Sequence, residues 1–276
     1  MKNNLVAYLF YTLLFGSSIT TFAADTITVI SHNVLAFSGH PTKIHKTDHL
    51  VVQQAIEFYR KTKADIILLS ESPSEETIRI LADSLNYHYA FYTANWNGNT
   101  EYPYGFPGCI LTKFPISKSI DYNKDRNNIA DSLFQRFWGS CYLTTKYGKA
   151  RITGVHLCAN FDRNRESNRI AELNLLFTNI DSCNDCAFDI LAGDFNSLPN
   201  STPYQLIVNK KFVDSHNQYN YPTVPVPSPK VCIDYIFIYE NLKANYKQIP
   251  TELPYNENTQ KFLSDHYPCM VQLIFK

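Results

Sequence analysis

Short, uniformly apolar runs alternate along this chain with stretches in which apolar residues recur every three or four positions. Residues 26–34 are rich in β-branched side chains and predict a strand, and residues 66–69 are wholly apolar and predict a short buried one. Between them Val51, Ala55, Phe58 and Thr62 share one helical face, so residues 48–62 predict a crossover helix and the three elements together a β-α-β unit. A second amphipathic helix is expected over 75–85, followed by strands over 89–93 and 109–112. Residues 137–145 and 150–156 flank Lys146-Tyr147-Gly148-Lys149, whose length and composition suit a hairpin turn, so these strands are expected to pair antiparallel. A long helix is expected over 163–180 with Ile170, Leu173, Phe177 and Ile180 as its apolar stripe. Three more strands are expected over 188–191, 233–239 and 269–275, and Thr202 capping Pro203 marks a short helix.

Two stretches depart from this rhythm. Residues 1–23 have Lys2, an apolar run from Leu5 to Phe15, and small residues closing on Ala23, the layout of a secretory signal cleaved after Ala23. The apolar run falls short of the roughly 20 residues that span a bilayer, so a retained anchor is the weaker alternative. Between 96 and 106, the rings of Trp96, Tyr102, Tyr104 and Phe106 are interspersed with Gly98, Asn99, Pro103 and Gly105, which disfavour regular structure. Those rings either fold back onto the core or meet substrate.

No Ser/Gly-rich linker, charge block or repeat divides residues 24–276, so a single domain is expected. Of the 276 residues 45% are hydrophobic, enough for a buried core, and 25 basic residues balance 25 acidic ones. That balance gives no global attraction toward nucleic acid or anionic membrane and counts mildly against a dedicated nucleic-acid binder. Arg163, Arg165 and Arg169 open the long helix and are expected to form a solvated face rather than to reach a phosphate. The seven cysteines are an odd number; Cys183-Asn184-Asp185-Cys186 reads as a local disulfide or two ordinary turn cysteines, since no second CxxC or His pair accompanies it at zinc-site spacing.

The candidate chemistry lies at the strand ends. Asn33, Glu71, His156, Asp194 with Asn196, Asp234, and Asp265 with His266 all fall at or near the ends of apolar runs, where side chains converge on a cleft. Any one of them alone reads as a turn residue or cap. Together they suit one kind of chemistry: hard carboxylate oxygens for Mg²⁺, a carboxylate or imidazole to deprotonate or orient water, and amides to meet phosphate oxygens.

The motifs Ser31-His32-Asn33-Val34, Leu69-Ser70-Glu71, Gly108-Cys109-Ile110-Leu111, Gly154-Val155-His156-Leu157, Gly193-Asp194-Phe195-Asn196, Ile233-Asp234-Tyr235 and Ser264-Asp265-His266 follow in this order over nearly the whole mature chain. In combination they resemble the endonuclease/exonuclease/phosphatase superfamily. The resemblance implies an α/β (α+β) fold, a four-layer α/β/β/α sandwich with two central, mostly antiparallel mixed sheets. It implies that Glu71 is the principal Mg²⁺ ligand, helped by Asn33, with Asp265 near the metal or a second one. It further implies that Asp194 aligns or activates the attacking water, that Asn196 orients water and phosphate, that His266 is a catalytic histidine paired with Asp234, and that His156 contacts the scissile phosphate. Three positions depart from the pattern: Leu35 stands where repair members carry an acidic residue, Ser70 replaces a glutamine before the metal-binding glutamate, and His156 moves the likeness toward secreted phosphodiesterases.

The expected function is therefore an exported hydrolase of phosphate esters, dependent on Mg²⁺ with Mn²⁺ able to replace it, and most simply a phosphodiesterase. Its substrate would be a nucleic acid, a phospholipid headgroup or a small phosphate ester. A secreted or periplasmic monomer is expected, with no stable protein partner. The alternatives are a phosphomonoesterase acting on sugar or inositol phosphates, and a catalytically inactive binding member of the same fold.

Overall fold

A computed structural model of the chain describes residues 25–96, 98–124, 134–159, 163–180, 183, 185–216, 221–240 and 244–275. The candidate export segment, residues 1–23, lies outside them, as does the side chain of Arg163. In chain order the elements are β1 (Asp25–Asn33), α1 (His49–Thr62), β2 (Ile66–Ser70), α2 (Glu75–Leu85), β3 (His88–Tyr92), β4 (Gly108–Thr112) and β5 (Ile116–Asp121). They continue with β6 (Trp138–Thr145), β7 (Gly148–His156), α3 (Arg163–Asn179), β8 (Phe188–Asp194), α4 (Thr202–Asn209), β9 (Phe212–Asp214) and β10 (Asp234–Tyr239). The last are β11 (Ala244–Gln248), a two-residue hairpin of β12 (Tyr255–Asn256) and β13 (Lys261–Phe262), and β14 (Cys269–Phe275).

Two six-stranded sheets form, in the orders β11-β14-β1-β2-β4-β3 and β5-β6-β7-β8-β10-β9. Strand alternation fixes their two faces. Ile27, Val29, Ile66 and Leu68 of the first sheet meet Ile152, Ile190, Ala192 and Ile236 of the second in one buried layer. The intervening residues point outward: Ile30, Ile67 and Leu69 pack under α1 and α2, while Leu191, Tyr235 and Phe237 pack under α3 and α4. The result is the four-layer α/β/β/α sandwich, with parallel pairing at β1–β2 and β7–β8 and antiparallel pairing between the other sheet neighbours.

Local signals set the helix limits. Asp48 accepts from the backbone N–H of Leu50 at 3.0 Å to start α1, and Lys63 ends it in the left-handed conformation. Ser74 caps α2, whose first turn carries Glu75 and Glu76 against the positive end of the helix dipole. Two sequence expectations shift. The N-cap of α4 is Ser201, with Thr202 and Pro203 already inside the first turn. The buried face of α3 runs through Arg169, Glu172, Leu173, Leu176 and Ile180, so it is rotated from the expected stripe, and Arg169 lies inside rather than on a solvated face. The reason is polar: the Arg169 guanidinium donates to the Cys158 carbonyl at 3.2 Å, and the Glu172 carboxyl accepts from the Cys158 N–H at 2.9 Å. Cys183 and Cys186 form a disulfide, leaving Cys109, Cys141, Cys158, Cys232 and Cys269 free.

This topology gathers chemistry at one end of the sandwich. The parallel pairs β1–β2 and β7–β8 deliver the C-terminal ends of four strands, and β14 and β10, antiparallel to β1 and β8, bring their N-terminal ends to the same edge.

Candidate active site

β1, β2, β7, β8, β10 and β14 each bring a polar residue to this edge. His156, Asp194 and Asp234 stand abreast on β7, β8 and β10, each in register with the next. Asn33 closes β1 on the facing sheet, Glu71 follows β2, and Asp265 and His266 precede β14. The sheets are joined where the Asn33 side-chain amide donates to Asp194 Oδ2 at 3.1 Å. Asp194 Oδ1 accepts from the backbone N–H of Asn196 at 3.0 Å, and the Asn196 amide donates to the Leu157 carbonyl at 3.0 Å. The two Asp194 oxygens are thus fixed, one by the turn that follows β8 and one from the facing sheet.

The backbone at this edge is held in costly conformations. Leu35, Ala36 and Phe37 (φ 49°, 53° and 51°), Glu71 (50°) and Asn196 (48°) are all left-handed, a state worth about 1–3 kcal/mol of strain per residue. Hydrogen bonds hold the first group in place: Val34 N–H donates to the Ser70 carbonyl at 2.9 Å and Ala36 N–H to the Glu71 carbonyl at 2.8 Å, so the turn after Asn33 also aims Glu71. Gly193 has φ 143°, and a Cβ there would stand 1.9 Å from the Val155 carbonyl oxygen. Only glycine lets β8 approach β7 closely enough to bring Asp194 beside His156.

His266 and Asp234 form a second pair, Nδ1 to Oδ2 at 2.8 Å. Burial would strip the His266 proton, but the charges of Asp234, Asp265 and Asp194 outweigh it and hold the imidazole well above its usual pKa. The loop is pinned by Ser264, whose hydroxyl donates to the Asn33 carbonyl at 2.6 Å and accepts from the His266 N–H at 3.2 Å. Beneath it His32 bridges the Tyr59 hydroxyl (2.8 Å) and the His266 carbonyl (3.1 Å), and burial pushes its own pKa down to about 3. His32 therefore holds this edge in place as a neutral strut.

His156 is fully buried and sits between the two carboxylates, with Nε2 at 3.3 Å from Asp194 Oδ2 and 4.0 Å from Glu71 Oε1. Burial first, and then the Arg136 guanidinium that donates to Nε2, hold this imidazole well below its usual pKa and neutral. Burial raises the Glu71 carboxyl, but His45 at 3.6 Å and the charges of Arg136 and His266 bring it down to about 2. Asp194 is shifted up, by burial and by the Asp234 carboxylate.

A divalent cation suits this donor set. Carboxylate oxygens of Asp194 and Asp234 lie within 4.8 Å of each other and of the protonated His266 ring, and Asp234 Oδ1 is buried without a hydrogen-bond partner among the described residues. Glu71 and Asn33 add hard oxygens from the facing sheet, and the crowding of Asp194 and Asp234 is what a cation relieves. Asp265 sits at the rim, half-buried, with a carboxylate oxygen 3.3 Å from the Ser264 hydroxyl oxygen, outside the tight three-residue cluster.

Two residues here carry no sequence motif. Arg136 precedes β6, and its guanidinium lies 4.2 Å from the centre of the Phe106 ring while reaching His156. His45 lies on the loop before α1, with its ring 4.2 Å from that of Tyr102 and its nitrogen on Glu71. The aromatic residues of the 96–106 loop fold neither into the core nor away from the protein: Trp96, Tyr102 and Phe106 pack on one another, and the Phe106 ring meets the edge of His156 at 5.8 Å.

No curated protein matches the chain by sequence. Solved structures do match its fold. An endonuclease/exonuclease/phosphatase family protein from Bacteroides thetaiotaomicron aligns at 17% identity over 92% of this chain and 100% of its own, with a TM-score of 0.71. A mannosyl-6-phosphatase of the same species aligns at 18% identity over 90% and 100% of the two chains (TM-score 0.67), and TDP2 from Caenorhabditis elegans at 15% over 91% and 74% (TM-score 0.62). The model of the endonuclease/exonuclease/phosphatase family matches residues 30–266, a span that begins in β1 and ends on the histidine paired with Asp234. This chain belongs to the endonuclease/exonuclease/phosphatase family.

Proposed function

We propose that the protein is an exported, Mg²⁺-dependent hydrolase of phosphate esters, a phosphodiesterase in its main activity, with residues 1–23 as the export signal. Members of its family are generally hydrolases of phosphate esters and typically depend on a divalent metal. The observation that carries the reading is the meeting of Asn33, Glu71, His156, Asp194, Asp234 and His266 at one edge, linked across the two sheets by the Asn33–Asp194 hydrogen bond.

Glu71 and Asn33, with Asp265 nearby, are the proposed metal residues, and Mn²⁺ is able to replace Mg²⁺ there. Held by these residues, a cation would neutralise phosphate charge and orient the ester. Asp194, fixed by Asn33 and Asn196, holds the water for in-line attack and takes its proton. His266, oriented by Asp234, presents its other ring nitrogen to a phosphate oxygen as charge develops on it, and the neutral His156, whose Nε2 accepts from Arg136, holds that guanidinium toward the same phosphate. As the water oxygen bonds to phosphorus, the bond to the leaving oxygen breaks.

Hydrolysis of monoesters is the second reading. It is favoured by Arg136, whose guanidinium is braced on Phe106 beside Glu71 and suits the dianionic phosphate of a monoester. The test is turnover in Mg²⁺ of bis(p-nitrophenyl) phosphate, p-nitrophenyl phosphate, plasmid DNA, RNA, sphingomyelin and inositol phosphates, with Asp194→Ala as blank. Turnover of a diester that is lost in Asp194→Ala supports the main reading; turnover of monoesters alone supports the second. Equal turnover in Asp194→Ala overturns both.

A further inference from the structure

The turn after Asn33 is apolar, with Leu35, Ala36 and Phe37 all buried, so it offers a cation no side-chain oxygen. Beside Glu71 stands instead His45, from the loop before α1, with Nδ1 3.6 Å from Glu71 Oε2. That nitrogen is buried and has no hydrogen-bond partner among the described residues. A separation of 3.6 Å is too long for a hydrogen bond, yet it is within the span of two ligands that each stand about 2.0–2.2 Å from one ion. With its proton on Nε2, a neutral imidazole offers a lone pair at Nδ1, and a cation at Glu71 gives that lone pair a partner.

The ring is braced from two sides. The His45 backbone N–H donates to the Glu101 carbonyl at 2.7 Å, and the imidazole meets the Tyr102 ring edge-on at 4.2 Å. Two residues on, the Thr47 hydroxyl donates to the Ala36 carbonyl at 3.0 Å, while the Ala36 N–H donates to the Glu71 carbonyl at 2.8 Å. The His45 loop, the turn after Asn33 and the Glu71 backbone are therefore tied by one run of hydrogen bonds. Ring nitrogen and carboxylate face each other as parts of one fixed frame, which is how a set of metal ligands is held.

We propose that His45 is a further ligand, through Nδ1, of the cation held at Glu71 and Asn33, and that it gives this centre a preference for divalent transition ions over Mg²⁺. The assignment rests on the reading that Glu71 and Asn33 hold a cation, and its test separates the two. Mg²⁺ is a hard ion that takes oxygen ligands and keeps several waters, so a water serves it as well as an imidazole. An imidazole nitrogen binds Mn²⁺ and, more strongly, Co²⁺. His45 therefore adds little to Mg²⁺ binding and much to Co²⁺ binding. Were His45 only a brace for Glu71, its loss would weaken each ion alike, because all of them meet the same carboxylate.

The full chain, stripped with EDTA and freed of it, is titrated calorimetrically with Mg²⁺, Mn²⁺ and Co²⁺, and the Mn²⁺-loaded protein is measured by electron spin-echo envelope modulation. His45→Gln is expected to weaken Co²⁺ binding at least about tenfold while changing Mg²⁺ binding less than about twofold. It is also expected to remove a nitrogen coupling to Mn²⁺ that the unsubstituted chain shows. Retained Mg²⁺ binding in the variant shows that its site is still folded. Equal losses for Mg²⁺ and Co²⁺, a nitrogen coupling that survives His45→Gln, or no nitrogen coupling in the unsubstituted chain would each overturn the ligand assignment. The cation reading at Glu71 stands in those cases if Glu71→Gln abolishes binding of all three ions. Binding of none of them by the unsubstituted chain overturns both.

Discussion

Two buried aspartates lie five positions apart on β8, and the difference between them separates structure from chemistry. Asp189, near the start of the strand, faces the helix layer, and Arg151 meets it with two hydrogen bonds, Nε to Oδ1 at 3.0 Å and Nη2 to Oδ2 at 2.5 Å. Asp194, at the other end, turns into the space between the sheets, where its neighbours are an amide, a neutral imidazole and a second carboxylate. Burial pushes both carboxyls up. For Asp189 one guanidinium bonds both oxygens and opposes that shift, whereas at the Asp194 end two carboxylates share the His266 imidazolium, which is hydrogen-bonded to Asp234, and the charge of Arg136. A buried charge that is fully paired holds a fold together; one left under-compensated marks a place prepared for a ligand.

The same substitution at both ends is the sharpest way to break this comparison. Asp194→Asn keeps one of the two hydrogen bonds, since its single amide oxygen accepts from either Asn33 or Asn196, and removes the charge. It is expected to lower kcat by about 10³- to 10⁴-fold, with an unchanged or higher Tm in EDTA, measured by turnover and calorimetry. Asp189→Asn leaves Arg151 buried without its anion and is expected to cost about 3–5 kcal/mol, a fall of roughly 10 °C in Tm, with kcat nearly unchanged. Should the two variants exchange these signatures, the assignment of roles along β8 is wrong.

Glu172 sharpens the comparison from the helix side. It is fully buried, and burial, only partly opposed by the Cys158 N–H and by Arg136 and Arg169, raises it from 4.5 to about 8. Between those two pH values the unfolded chain releases a proton that the folded protein retains, so stability is fully present below about 4.5 and declines as pH rises to about 8. Glu172→Gln removes that decline. The gain, on the order of a few kcal/mol, should appear at pH 9 and vanish at pH 4 in paired thermal melts. A pH-independent difference would assign the effect to packing instead.

A smaller change is expected at Arg136. Arg136→Leu keeps bulk over Phe106 but removes the charge, and kcat/KM on a monoester should fall about tenfold, with a lesser fall on a diester. Equal falls on both would remove the argument for dianion recognition.

Most of the frame was legible in the sequence because buried strands write themselves as apolar runs. Residues 66–69, 109–112 and 188–191 sit in sheet interiors with both faces covered. What the pattern missed are the edges. β5, β9 and β11 stand at the outer positions of the two sheets, where one flank and much of a face meet solvent, so Lys118, Ser119, Tyr246 and Lys247 carry no alternation strong enough to predict a strand. The α3 stripe was displaced for the opposite reason: Arg169 and Glu172 are charged residues buried by specific hydrogen bonds to Cys158, which a hydropathy pattern places outside.

The proposed site residues were findable because each follows or opens a strand. Arg136 and His45 were not, since they approach from loops and acquire their neighbours only through tertiary packing. The aromatic loop was visible as an anomaly, but only its folded geometry shows that Phe106 reaches His156 and that Trp96 walls a cavity.

The central claim is that the crowded carboxylates at the end of β8 turn over a phosphate ester with a divalent cation. Turnover of bis(p-nitrophenyl) phosphate by one sample, before EDTA, in excess EDTA and after excess Mg²⁺, tests it most directly, with Glu71→Gln run alongside. The account predicts that activity disappears in EDTA, returns saturably with Mg²⁺, and does not return in Glu71→Gln. Undiminished turnover in excess EDTA, or full recovery in Glu71→Gln, would contradict it.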